Sequence, residues 1–469
     1  MVGSKGEKLA MVELSLNRIA EITGGKIVQG SPGLSFDRFN IDSRLSRSGE
    51  LFFALEAARN GHDYISDSAQ KGAAGAVISR DIKPPNHNFA LIKVENTLDS
   101  LQKIAKSVAQ SHPAKIVGIT GSTGKTTTKE FIYTFLKTTY RVHKSQGNFN
   151  NYIGLPLSVL NLRADHEIAV LEMGMNSPGE IKALTEIVPP DISVITNINP
   201  VHMEFFESLS DVAAAKKEIL DGTKKGGTAI LNSDDELVLE IARDFKGKKI
   251  FFGTSKNSLI RAENIERIGL EHLTFDLFYG EEKTNISLSL FNASYLYNFL
   301  AAAATAYSLQ IPIHKLKHAA KFLKPFAMRG TVFHLKSKII LIDDSYNSNP
   351  FSLAKSLEGL AGAKDGRKIA VLGDMREMGK QEEKYHFDAG ELVHQLGINI
   401  LITVGPLAEK IAQGALSSGM DKNNIFTFKE SDEAAVKLIP LIKENDIILV
   451  KGSRVVEMEK IVEFIKRKR

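Results

Sequence analysis

The chain predicts an α/β fold of three domains, with the central and C-terminal domains each built on a parallel sheet. Three observations carry this. At 119–128 the stretch ITGSTGKTTT leaves a short apolar run, Ile116 to Ile119, and leads into a helix-like segment, KEFIYTFLKTTY, that starts at Lys129. In the same region, apolar runs end repeatedly at polar or glycine turns: IAVLEMG near Glu172 and Gly174, and ISVITNI near Asn197. Beyond Pro325, four more runs do the same: KIILIDD, KIAVLGD, NILITVG and DIILVKG. Strands that exit into loops and return through helices make parallel sheets whose functional groups converge at the strand ends. The central domain therefore reads as a P-loop ATPase-like parallel sheet and the C-terminal one as a Rossmann-like α/β domain. Breaks at Pro113 and Pro325 divide the 469 residues into 1–112, 113–325 and 326–469, a common size for domains.

In the first domain, Leu14 to Ile22 predicts a short helix that stops before Gly24 and Gly25. LFFAL at 51–55 and AGAVIS at 74–79 predict strands. Between them, Asp42, Ser43 and Arg44 form either a solvated turn or a contact for a phosphorylated substrate. Gly61, His62 and Asp63 read as a hydrogen-bonded turn or a polar contact.

The central domain opens on its glycine-rich turn. A turn that leaves a buried strand and enters a helix gathers backbone N–H groups at the positive end of the helix dipole, where phosphate binds. Lys125 then reaches terminal phosphates, and the Thr126 hydroxyl suits the accompanying magnesium ion. The full Walker spacing calls for glycine at 119, where this chain has isoleucine. Gly121, Ser122, Thr123, Gly124, Lys125 and Thr126 keep the last turn and both reactive side chains, with Thr127 beside them.

Farther on, the QGNFNNYIG loop carries Asn148, Asn150 and Asn151, amides that either orient a polar ligand or close a turn. Glu172, at a strand exit, offers Mg²⁺ an oxygen ligand. His202 follows the next strand and serves a second metal position or an ordinary loop contact. DVAAAKKEILD at 211–221 predicts a helix whose Lys216 or Lys217 faces a polar cleft or solvent. FNASYLYNFLAAAA predicts a packed helix with Asn298 near its start, turned to a ligand or to water. Past Pro325, Met328, Arg329 and Gly330 precede a strand hairpin. Asp343 to Asn347 and Lys451 to Arg454 are polar clusters at strand exits, suited to a substrate cleft or to capping.

Composition excludes several classes. With 43% hydrophobic and 25% charged residues the chain is a folded one, not a disordered or fibrous one. A net charge of +5, with some of the excess in the terminal KRKR, gives no nucleic-acid footprint. Absence of cysteine rules out disulfides and thiolate catalysis and is compatible with a reducing cytosol. The opening MVGSKGEKLAMVEL has no leader pattern, and no long uncharged apolar stretch predicts a membrane span. A soluble, cytoplasmic chain is expected.

Taken together, the motifs resemble the Mur ligase family over nearly the whole chain. The resemblance rests on TGSTGKTTT at 120–128, GNFNNYIGLPLSVL at 147–160, EMGMNSPGEI at 172–181 and TNINPVHMEFF at 196–206. It continues through AKKEI at 215–219, IDDSYNSNP at 342–350 and GDMREMG at 373–379, the last two favouring the branch that adds D-alanyl-D-alanine.

The resemblance implies ATP-dependent ligation of UDP-MurNAc-tripeptide to D-alanyl-D-alanine through an acyl phosphate, with Mg²⁺ and without a covalent enzyme nucleophile. It assigns Lys125 to ATP phosphate, Thr126 and Glu172 to one magnesium position, and His202 to a second. It assigns Lys216, chosen over Lys217 by the family's AK-x-EI pattern, to a carbamylated lysine. Asn298, Arg329 and Asp344 fall at nucleotide contacts. Asp42, Ser43 and Arg44, with Asn148 and Asn151, match stretches associated with the UDP-linked substrate. Asn347 and Asn349, with the 374–379 segment, fall at the dipeptide end. A monomer without nucleic-acid or stable membrane partners is implied. Two departures stand out: Ser294 and Tyr295 replace the family's histidine–asparagine pair, and Asn199 and Pro200 replace a glycine–glutamate type of loop before His202.

Overall fold

The computed structural model describes residues 12–291 and 294–469. Residues 1–11, which hold most of the opening stretch searched for a leader, lie outside the described residues. So do Asn292 and Ala293 of the FNASYLYNFLAAAA segment, and the Ser294 side chain.

Three large sheets organise the described chain. The first has five strands, in the order Lys26–Gln29, Ala90–Lys93, Gly75–Ile78, Leu51–Phe53 and Phe39–Asn40, parallel except at the Lys26–Gln29 edge. The first helix spans Leu16–Thr23, slightly later than the sequence suggests. Leu14–Ser15 pairs instead with Ser35–Phe36, and the Ser15 hydroxyl caps the helix through Arg18 N at 3.2 Å. Gly24 ends it at φ 70°, a conformation that costs glycine little.

The second sheet has nine strands. It is parallel from Val142–Lys144 across to Ile260–Ile268, and antiparallel through His272–Tyr279 and Glu282–Ser289. Lys115–Thr120 lies between Ile168–Glu172 and Ile192–Ile195. Its register sets Glu172 opposite Ile119 and Ile195 opposite Thr120, so three strand ends open together beneath the glycine-rich loop. The helix after that loop spans Lys125–Leu136 and begins four residues before the predicted Lys129 start. Gly124 at φ 80° turns the chain straight into it, which places the threonine run in the first helical turn.

Both faces of the parallel strands around the loop are covered. On one face Ile116, Leu171 and Ile195 join a core that continues into the first domain through Leu16, Phe53 and Leu101. On the other, Phe135 of the loop helix meets Phe299 edge-on at 5.4 Å. There Ala301 to Ala304 are all fully buried, and such small side chains let the Ser294–Ser308 helix press onto the strands.

The third sheet has six strands: Thr331–His334, Ile340–Asp344, Ile447–Lys451, Lys368–Gly373, Ile400–Val404 and Ile425–Phe428. The first two form the expected antiparallel hairpin, and the rest are parallel. The final strand inserts between the second and third in chain order, and the crevice at such a topological switch takes ligands. Asp344, Lys451 and Gly373 emerge there. Among the described residues, no helix is long and apolar enough to cross a membrane.

Candidate active site

The glycine-rich loop is sewn to the next strand exit. Thr123 N donates to Asn197 Oδ1 at 2.9 Å, Ser122 Oγ donates to Asn199 O at 2.9 Å, and Thr196 Oγ1 donates to Thr123 O at 2.6 Å. The fit needs glycine at 121: its φ is 144°, and a Cβ there would come 1.9 Å from Thr196 Oγ1. Lys125 folds over its own loop, donating to Gly121 O at 2.7 Å. Burial holds its ammonium below the usual lysine range, and the Glu172 carboxylate opposes that shift.

Glu172 is 2% exposed at the end of its strand. It accepts from Thr126 Oγ1 at 3.0 Å and from Asn150 Nδ2 at 2.9 Å. Lys129, which sequence reasoning passed over as the start of a helix, is wholly buried beside it. Its Nζ lies 3.9 Å from Glu172 Oε2 and donates to Gly147 O at 2.7 Å, tying the asparagine loop to the loop helix. Burial pushes its pKa down, against the attraction of Glu172 and Glu130. The available signal was spacing: four residues after Lys125, it shares that lysine's helix face.

One cavity of about 850 Å³ joins the central and C-terminal domains. Its wall takes in residues 122–127, Asn148, Asn151, Glu172, His202 and Asn298 from one side, and Arg329, Asp344, Asn347 and Asn349 from the other. Asn298 abuts the loop, accepting from Thr128 Oγ1 at 3.3 Å. Asp344 accepts from Lys451 Nζ and Ser356 Oγ, both at 2.7 Å, and Lys451 also reaches Asn347 O at 3.1 Å. Lys451, 3% exposed, thus braces the C-terminal wall. Arg329 stacks 4.2 Å over Tyr346, and its buried Nε has no partner. On the central side Tyr297 donates to Asp234 Oδ2 at 3.1 Å, a pair that no sequence motif singled out.

Two asparagines do local work as well. Asn151 Oδ1 accepts from Gly154 N at 2.9 Å, and Asn349 caps the Pro350–Ala361 helix by accepting from Ser352 N at 2.8 Å. Both still border the cavity.

His202, at φ 55°, bonds through Nδ1 to Glu377 of the C-terminal domain, itself at φ 65°. Nearby, a Cβ on Gly379 would fall 2.4 Å from Met203 O, so the two loops pack backbone to backbone. The His202 contact holds the Glu377 carboxyl below its ordinary range.

Lys216 and Gly121 are not on the cavity wall. Lys216 is 2% exposed, and burial, reinforced by the charge of Lys125, drives its pKa well below that of a free lysine. Lys217 is a surface residue paired with Asp221. Asp42, Ser43 and Arg44 also lie outside the cavity, in a 3-10 turn where Asp42 holds Arg44 at 2.6 Å.

This arrangement, a glycine-rich strand–turn–helix facing a second α/β domain across a polar cavity, has relatives. The Mur ligase middle domain family matches residues 119–306, and the Mur ligase, glutamate ligase domain family matches 328–454. A UDP-N-acetylmuramoyl-tripeptide--D-alanyl-D-alanine ligase from Bacillus subtilis is 34% identical, over 96% of this chain and 98% of its own. The Escherichia coli protein of that name is 32% identical, over 96% and 98%. Among solved structures, MurF from Acinetobacter baumannii superposes with a TM-score of 0.88 at 27% identity, covering 97% of this chain and 99% of that one. MurF ligase from Thermotoga maritima, in complex with ADP, gives 0.79 at 29% identity, covering 92% and 97%. With both domain families matched in order and similarity running nearly end to end, the chain belongs to the Mur ligase family.

Proposed function

We propose that this chain joins D-alanyl-D-alanine to UDP-MurNAc-tripeptide, driven by ATP, and so forms the UDP-MurNAc-pentapeptide of peptidoglycan precursor synthesis. One observation carries the reading: similarity to relatives named for this ligation spans 96% of the chain. Two motifs that mark that branch, DDSYNSNP and GDMREMG, contribute residues to the same cavity as the phosphate loop. A cytoplasmic location goes with this reading.

The tripeptide carboxylate attacks the γ-phosphorus of ATP, the bond to ADP breaks, and an acyl phosphate forms. The dipeptide amine then adds to the acyl carbon and loses a proton, and the tetrahedral species expels phosphate. Lys125 lies where it can offset charge on the transferring phosphoryl group. Asn298, Arg329 and Asp344 hold the nucleotide. Asp42, Ser43, Arg44, Asn148 and Asn151 serve the UDP-linked substrate, and Asn347, Asn349 and the 374–379 loop serve the dipeptide. Closure of three domains around the reactants aligns them and keeps water from the acyl phosphate.

The residues present fit a divalent cation. The buried Glu172 carboxylate and the Thr126 hydroxyl it accepts from form an oxygen pair suited to Mg²⁺, and the family resemblance assigns a second ion to His202, whose Nδ1 bonds Glu377 here. When bound, Mg²⁺ neutralises phosphate charge. Lys216 suits carbamylation. Among the described residues no acidic group offsets its burial, and the neutral form favoured there is the one that adds to CO₂.

The test is incubation with ATP, Mg²⁺, either an L-lysine or a meso-diaminopimelate tripeptide precursor, and D-alanyl-D-alanine, with single D-alanine as a competing amine. Mass spectrometry is expected to show pentapeptide together with ADP and phosphate. Tetrapeptide instead, or ATP binding without a new amide, overturns the assignment.

A further inference from the structure

In this chain Tyr295 stands where the family carries an asparagine, and a phenol cannot make the paired donor–acceptor contact of an amide. The structure gives its hydroxyl another partner. Tyr295 is 4% exposed, in the first turn of the Ser294–Ser308 helix, and it donates to the backbone carbonyl of Arg329. Its ring packs against Phe131 of the phosphate-loop helix, centroids 6.1 Å apart. Asn298 lies one turn later on the same face and touches the loop, since a Cβ on Gly124 would meet its Oδ1 at 2.3 Å. A single helix face therefore contacts both the phosphate loop and the linker into the C-terminal domain.

The linker is shaped for this contact. Met328 and Gly330, on either side of Arg329, have φ values of 62° and 70°. Met328 O accepts from Tyr346 N at 3.0 Å, and Gly330 lies so close that a Cβ there would sit 3.4 Å from the Tyr295 hydroxyl. The guanidinium of Arg329 is steadied by stacking on Tyr346, while its Nε is buried and unpartnered at the cavity. Its backbone carbonyl accepts from the Tyr295 hydroxyl.

We propose that Tyr295 is a positioning residue for the nucleotide: by pinning the Arg329 carbonyl it sets the guanidinium over the cavity and couples the phosphate-loop helix to the C-terminal domain. The inference rests on the ATP-site reading given under Proposed function.

Tyr295→Phe tests it, because the ring and its packing stay while the hydroxyl goes. Leaving one buried carbonyl without its donor corresponds to a loss of about tenfold. The expected result is a KM for ATP raised about tenfold, with the KM values for the UDP-linked substrate and the dipeptide unchanged, and a melting temperature lowered by only the few degrees that one lost hydrogen bond costs. In an Arg329→Ala background the same change should add little, since residues acting through one another are not additive. Tyr295→Asn, which installs the family's residue but cannot reach the carbonyl, should not restore ATP affinity. Equal ATP KM in Tyr295→Phe and parent, full additivity with Arg329→Ala, or parental affinity in Tyr295→Asn each overturns the proposal. Failure of the parent itself to bind ATP, by calorimetry, would instead reject the nucleotide-site reading on which it rests.

Discussion

Two glycines in this chain form a matched pair that separates backbone strain from a lost contact. Gly124 precedes the Lys125–Leu136 helix at φ 80°, ψ −3°, and Gly179 precedes the Glu180–Ile187 helix at φ 85°, ψ −14°. Alanine at either position pays the left-handed cost of about 1–2 kcal/mol. At Gly179 nothing lies within 4 Å of the new Cβ, so strain is the whole effect. At Gly124 the Cβ would fall 2.3 Å from Asn298 Oδ1, roughly 1 Å inside ordinary contact. The amide has to swing away and lose its bond from Thr128, which costs about 0.5–1.5 kcal/mol, with a similar amount for an off-rotamer side chain. Gly124→Ala is therefore expected to be about 1–3 kcal/mol less stable than Gly179→Ala. It should also bind ATP about tenfold more weakly if the displaced amide removes one hydrogen bond's worth of affinity. Denaturation midpoints and calorimetric ATP titrations of both variants measure these differences. If the two alanine variants match in stability and in ATP affinity, Asn298 does not depend on the glycine and the packing argument is wrong.

Three further outcomes follow from other parts of the site. Lys129→Met leaves Gly147 O without its buried donor, so the 146–151 loop should exchange amide hydrogens faster, at a stability cost of about 1–3 kcal/mol; unchanged protection there would remove Lys129 from the site. Gly379→Ala, with φ 62° and a 2.4 Å collision with Met203 O, should force the two loops apart and break the His202–Glu377 contact, seen as an expanded small-angle scattering envelope and a lower kcat. His143 concerns pH: its Nε2 is enclosed without a partner, and burial, with a lesser push from His166, lowers its pKa from 6.5 to about 4. The unfolded chain therefore takes up this proton first, so the contribution is complete above about pH 6.5 and is lost as pH falls towards 4, by at most about 3 kcal/mol. The stability gap between parent and His143→Gln should shrink across that window, and a gap that stays constant from pH 7 to 4.5 contradicts the assignment.

Much of the site was legible because it is local. A strand, a glycine-rich turn and a helix in succession fix where backbone N–H groups point, so residues 121–127 need little from the rest of the chain. Glu172 was legible for a related reason: a carboxylate at the end of a buried parallel strand faces the same edge as the loop. The C-terminal sheet was readable as strands from its apolar runs, but the insertion of Ile447–Lys451 beside Ile340–Asp344 was not, since strand order depends on pairing between distant segments.

Local chemistry also left alternatives that only packing could decide. The resemblance put Asn349 at the dipeptide end, and packing shows that it also caps a helix at the rim of the cavity. Lys216 and Lys217 are neighbours of the same type, yet helical rotation buries the first and leaves the second part-exposed and paired with Asp221. Lys129 looked like any lysine on a helix until the Gly147 carbonyl and Glu172 closed around it.

The sequence by itself determined the α/β class, the glycine-rich strand–turn–helix and the Glu172 strand exit, because periodicity and turn chemistry act over a few residues. Only the tertiary structure decided which distant side chains meet: His202 with Glu377 and Tyr295 with Arg329 between domains, and Lys451 with Asp344 on neighbouring strands of the C-terminal sheet. The physical reason is separation along the chain, since partners 175, 34 and 107 residues apart are joined by domain packing in the first two cases and by strand pairing in the third, and not by any local rule.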